Sequence, residues 1–122
     1  MLRRSLAIAA VVAGLATVAL AQSKGPNGGM ISGTGDHKTE LVVSPTDIAV
    51  YLLHDGKVDE TTGTTLRAVV QQGGKTTNIT LADQGGKRLV GKLPAPLAKG
   101  AIVVVTGKDH HGGPVNARYV IP

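Results

Sequence analysis

The sequence predicts an all-β protein: an antiparallel β-sandwich of about seven strands with immunoglobulin-like architecture, which follows a cleaved signal peptide. Apolar and polar residues alternate with a period of two, and Gly, Pro and Asp turns interrupt the alternation roughly every 8–12 residues. After residue 21, no stretch shows the period of about 3.6 that marks an amphipathic helix. Since Cys, Trp and Phe are absent, the prediction extends to the sandwich architecture and not to a true immunoglobulin domain.

The first 21 residues have the three parts of an export signal. Arg3 and Arg4 form a basic start, residues 6–20 are apolar, and the Ala-Leu-Ala sequence at 19–21 is the pattern that signal peptidase accepts. The apolar run is shorter than the roughly 20 residues that span a bilayer, which favours cleavage over a retained anchor. We therefore expect a signal peptide at 1–21 and a periplasmic mature protein without a membrane span. The arginine pair leaves open whether export uses the general or the twin-arginine route.

Turn residues bound the first three strands expected in the domain. Residues 22–35 are rich in Gly and Ser and indicate a flexible lead-in, so the sandwich is expected at 36–122. A first strand at 37–44 ends at a Ser-Pro pair. A second at 47–54 alternates Ile, Val and Leu with other residues and ends in a His-Asp-Gly-Lys turn. The third, 64–72, alternates Leu, Ala and Val with polar residues.

Four more strands complete the expected sheet pair. Gly73-Gly74 predicts a tight hairpin from the third strand into a fourth at 75–82. A short fifth strand at 87–93 ends at a Pro-Ala-Pro sequence, because Pro is confined to the edges and connections of a sheet. The continuous apolar run at 101–106 indicates a central strand. Residues 114–121 alternate again and close the chain.

Charge and composition exclude several function classes. Removal of Arg3 and Arg4 lowers the 13 basic residues to 11 against 8 acidic ones, so the net charge falls from +5 to +3. The basic residues form no block and Tyr is the only aromatic type, which argues against nucleic-acid binding. The absence of Cys excludes disulfides and thiolate metal sites. No Ser lies in a nucleophile elbow, and we expect a non-enzymatic protein.

The four His residues are the candidate ligands for a metal ion. His37 opens the first strand with Glu40 three residues later, His54 ends the second strand, and His110 and His111 lie in the loop before the last strand. Neutral imidazole is the commonest side-chain ligand for Zn(II) and Cu(II). The alternative is that these are ordinary turn residues, since adjacent His side chains on an extended backbone point apart and chelate poorly. Both interpretations stay open at this point.

Several sequence strings are similar to one group of proteins. They are Pro26-Asn27-Gly28-Gly29, the segments 37–42 and 48–57, Asn78-Ile79-Thr80-Leu81, Arg88-Leu89-Val90-Gly91 and Ala117-Arg118-Tyr119. In this order they resemble small periplasmic proteins of proteobacteria that are often encoded beside heavy-metal efflux systems, and a similar segment in some efflux adaptor proteins.

The resemblance implies a metal site formed by His37, Glu40 and His54. His110 and His111 would be additional ligands particular to this chain. It also implies a divalent ion, Zn(II) or Cu(II), and an efflux component of the envelope as partner. This chain departs from the group where a His often precedes the two glycines, since it has Pro-Asn there. The leading hypothesis is a periplasmic metal-binding accessory to efflux, and the alternative is a ligand-free protein-interaction module of the cell envelope.

Overall fold

Nine β-strands form the framework of the computed structural model, which describes residues 23–33 and 35–122. The expected signal peptide at 1–21 lies outside the described residues. Within the described ranges, no helix is long and apolar enough to cross a membrane. The strands are β1 (Met30–Ser32), β2 (His37–Val43), β3 (Asp47–His54), β4 (Lys57–Val58), β5 (Thr65–Gln72), β6 (Lys75–Gln84), β7 (Arg88–Lys92), β8 (Ile102–Lys108) and β9 (Pro114–Val120).

The strands pair antiparallel in one sheet with the order β1-β2-β3-β7-β6-β5-β8-β9, and β4 pairs with the end of β3. The sheet curls until its last strand meets its first two. The backbone N–H of Arg118 donates to Ser32 Oγ at 3.3 Å, and the Tyr119 hydroxyl donates to the Thr39 carbonyl at 2.6 Å. The molecule is therefore a nearly closed barrel.

The predicted all-β, antiparallel character is confirmed, whereas the division into two packed sheets is not. Period-two alternation reports which face of a strand is buried, and this is the same for a sandwich and for a curled single sheet. The seven expected strands correspond to β2, β3 and β5–β9. β1 falls within the segment expected as the lead-in, and β4 falls in the stretch expected as a connection.

The core lies inside the barrel and is built by the inward face of every long strand. Gly91 lies where β7 packs tightly, since a Cβ there would come within 2.5 Å of Ile79 Cγ2. The core is mostly aliphatic, and Tyr119 is its one aromatic side chain among the described residues. Its largest fully buried apolar members are Leu41, Ile48, Val50, Leu66, Leu81, Leu89, Val103, Val105 and Tyr119.

The Tyr119 hydroxyl stabilises the place where the two ends of the sheet meet, between β9 and β2, which we call the seam of the barrel. Burial, with a smaller contribution from the nearby Glu40 carboxylate, raises the pKa of the Tyr119 phenol above its ordinary value. The phenol therefore stays neutral and keeps its proton for the bond to the Thr39 carbonyl. This bond joins β9 to β2 across the gap between the two ends of the sheet.

The substitution Tyr119→Phe is expected to lower the free energy of unfolding by about 1–2 kcal/mol, because it removes a buried hydrogen bond. Urea denaturation followed by circular dichroism measures the change. Tyr51→Phe is the matched control: Tyr51 is half-buried and its hydroxyl has only a 3.5 Å contact with Arg88. A Tyr119→Phe variant as stable as Tyr51→Phe would contradict a role for this bond in closing the seam.

Candidate metal centre

All four His residues lie at one end of the barrel, which we call the barrel mouth and define by His37, His54, Asp59 and the loop 109–113. His37 begins β2 and His54 ends β3, and the two are direct partners in the β2–β3 pairing. The loop 109–113 joins β8 to β9, and Asp59 follows β4. His37, Asp59 and Asp109 line a common cavity, which shows that strand ends and loops meet there.

One cluster at the mouth offers three ligand atoms to an ion. Asp59, His110 and His111 each contribute one such atom, and these atoms lie within 4.8 Å of one another. His111 Nε2 is 3.9 Å from Asp59 Oδ2, and the two imidazole rings are 3.8 Å apart between centroids. Both His side chains are exposed and Asp59 is partly buried. The rings lie together rather than apart because the backbone turns here and is not extended.

The position of His110 and His111 depends on Asp109, which shapes the loop. Its Oδ1 accepts hydrogen bonds from the backbone N–H of His111 at 2.9 Å and of Gly113 at 2.7 Å. Backbone bonds between Asp109 and Gly113 and between Gly112 and Asp109 close the same turn. Gly112 has a φ of 81°, a left-handed conformation that suits glycine. Asp109 therefore positions the loop, and the carboxylate of the cluster comes from Asp59.

Asp59 is the cluster member that the sequence alone did not indicate. Its backbone N–H donates to the Leu52 carbonyl at 2.7 Å, which ties the residue after β4 to β3. The loop 109–113 reaches the same place only because the barrel curls. Nothing in the local sequence distinguishes Asp59 from the neighbouring acidic residue Glu60, so only the fold could have identified it.

For a Zn(II) ion held by this cluster, removal of the Asp109 carboxylate with Asp109→Ala is expected to weaken the binding about tenfold, the lower end of the cost of losing a supporting group around a metal. Asp109→Asn keeps an oxygen that can accept the two backbone bonds, so its affinity should stay within about threefold of the unmodified protein. Competition with a chromophoric zinc chelator measures both values. Equal losses in the two variants would show that the charge of Asp109, and not its loop contacts, matters.

His37 and His54 form a second pair at the mouth. Their Nδ1 atoms are 3.5 Å apart and their rings are tilted by 56°. Two nitrogens at this separation can bind one ion with bonds of about 2.0–2.1 Å, at an angle of about 115–120°, close to the tetrahedral value. The same geometry also allows one imidazole to donate a hydrogen bond to the other. His54 Nε2 lies 3.7 Å from Asp55 Oδ2 on the other side of its ring.

The structure does not bring Glu40 to the His residues. Glu40 lies three positions after His37 on one strand, and a period of two places them on opposite faces. The Glu40 side chain is fully buried, and its carboxylate accepts bonds from Asn27 N and Nδ2, both at 2.9 Å, and from Gly29 N at 2.7 Å. Its two oxygens thus hold the segment before β1.

Comparison of the chain with protein-family models, with curated proteins and with solved structures finds no match. The resemblance to proteins encoded beside efflux systems, the periplasmic location and the efflux partner therefore stay predictions. Any function assigned to this chain therefore depends on the chemistry of the barrel mouth.

Proposed function

We propose that this chain is an exported, non-enzymatic protein that binds a divalent transition-metal ion, Zn(II) or Cu(II), at the barrel mouth. The observation that carries the proposal is the Asp59, His110 and His111 cluster, with one ligand atom from each within 4.8 Å. Imidazole nitrogen and carboxylate oxygen are the donors that these two ions commonly take in proteins. In the cell the protein would serve as an accessory to metal efflux or homeostasis in the periplasm, with an envelope component of an efflux system as its partner.

The geometry supports a carrier that releases its ion readily. Three protein ligands leave at least one coordination position for an exchangeable ligand. Both His side chains of the cluster are exposed, so they need little desolvation and an acceptor can approach them. The His37 and His54 pair would supply two further nitrogens at the same mouth. An ion could then pass between the two groups without leaving the protein surface.

Calorimetric titration of the protein with Zn(II), and separately with Cu(II), tests the proposal. We expect saturable binding with at least one ion per chain. Mg²⁺ is the matched control and should give no measurable heat, because it prefers oxygen ligands and keeps its water shell. Absence of saturable Zn(II) and Cu(II) binding would contradict the proposal and would leave the ligand-free interaction module as the remaining hypothesis.

A further inference from the structure

The barrel mouth contains a cavity as well as candidate ligands. It has a volume of about 410 Å³, within the range of roughly 300–1,000 Å³ that is usual for small-molecule pockets. His37 of the imidazole pair and Asp59 of the three-residue cluster both line it. The cavity therefore borders both groups of candidate ligands.

The walls of the cavity combine apolar surface with charged side chains of both signs. Leu52, Leu53 and Val115 supply the apolar part, Lys38 supplies one positive charge, and Asp59 and Asp109 supply two negative charges. With the His neutral, the formal charge of these walls is therefore −1, and a divalent ion bound at Asp59 would change it to +1. An occupant that complements the metal-loaded cavity, and not the metal-free one, is a small anion with a carbon skeleton.

Three protein ligands also leave a coordination position of the bound ion open to a further ligand. An ion held by Asp59, His110 and His111 has three protein ligands. Zinc with three protein ligands takes a water or an exogenous ligand in its fourth position and can expand to five-coordinate. A bidentate chelator fills two positions at once, and its remaining atoms would extend into the adjacent cavity.

We infer that the barrel mouth binds its metal ion together with a small bidentate carboxylate, an amino- or pyridine-carboxylate, which occupies the cavity lined by Lys38, His37 and Asp59. This inference depends on the proposed function, since the chelator binds through the ion. It names the form in which the ion is carried, as a ternary complex instead of a bare ion.

Native mass spectrometry of the full mature protein with Zn(II) and picolinate tests the inference, because the mass counts each component on the protein. We expect one picolinate on the zinc-loaded protein and none on the zinc-free protein. Lys38→Glu should weaken picolinate binding about tenfold by replacing an attraction with a repulsion, and zinc binding without picolinate should persist. Lys75→Glu is the matched control, because Lys75 starts β6 at the opposite end of the barrel and does not line the cavity.

The outcomes separate this inference from the proposed function. Picolinate that strips zinc from the protein, or that binds equally to the Lys38→Glu and Lys75→Glu variants, overturns the ternary complex and leaves the metal site standing. Picolinate on the zinc-free protein overturns binding through the ion. A protein that binds no zinc overturns the ternary complex, and the proposed function falls with it when Cu(II) binding is absent as well.

Discussion

The double substitution of His110 and His111 by Asn is expected to lower the affinity for Zn(II) by about 100-fold or more. Two of the three ligands of the cluster are lost, and even the loss of a supporting residue near a metal typically costs 10–100-fold. Both side chains are exposed, so the fold should be unchanged. Competition with a chromophoric chelator measures the affinity, and circular dichroism checks the fold.

The matched control is the double substitution of His37 and His54 by Asn. This variant also loses two imidazoles from the barrel mouth but keeps Asp59 and the loop 109–113. Its affinity for the first Zn(II) should fall by less than about tenfold, because two ligands form a weaker site than three. Equal losses in the two double variants would contradict the assignment of the main site to the Asp59 cluster.

Glu40→Ala is expected to lower the free energy of unfolding by about 3 kcal/mol, the largest effect on stability that we predict. Removal of a buried carboxylate leaves its donors without a partner, at about 1–3 kcal/mol for each buried group, and also opens a cavity. The N–H of Gly29 is buried, whereas Asn27 is exposed and can turn to water. A Cβ at Gly25 would collide with the Glu40 carboxyl group, which shows how closely this segment packs.

Urea denaturation measures the Glu40→Ala effect, and Glu60→Ala is its control. Glu60 is exposed, and its replacement should change stability by no more than about 0.5 kcal/mol. Glu40→Gln, which keeps the shape and one accepting oxygen, should bind Zn(II) within about twofold of the unmodified protein, as expected for a residue outside the metal centre. Loss of zinc binding in a folded Glu40→Gln variant would return Glu40 to the metal site.

The strands could be predicted because their alternation is local. Ile48, Val50 and Leu52 of β3 pack in the core of the barrel as expected. The Gly73-Gly74 pair forms the turn between β5 and β6, also as expected. β1 and β4 could not be predicted, because strands of three and two residues carry too little alternation to detect. Closure of the sheet depends on contacts such as that of Tyr119 with Thr39, 80 residues apart in sequence.

The candidate site likewise has one part that could be predicted from the sequence and one part that could not. The end-of-strand positions of His37 and His54 were visible in the sequence, and pairing of their strands brings the two nitrogens to 3.5 Å. The meeting of Asp59 with His110 and His111 was not visible, because it depends on how the sheet curls. Glu40 lies three positions from His37, and its opposite orientation follows from strand geometry.

Long-range ¹H–¹⁵N NMR of the imidazole rings during a Zn(II) titration identifies which His residues bind the first ion. The ring nitrogens of His110 and His111 are expected to shift first and reach a plateau, with those of His37 and His54 following only as more zinc is added. Unchanged His110 and His111 nitrogens, while the protein binds zinc elsewhere, would contradict the assignment of the metal centre.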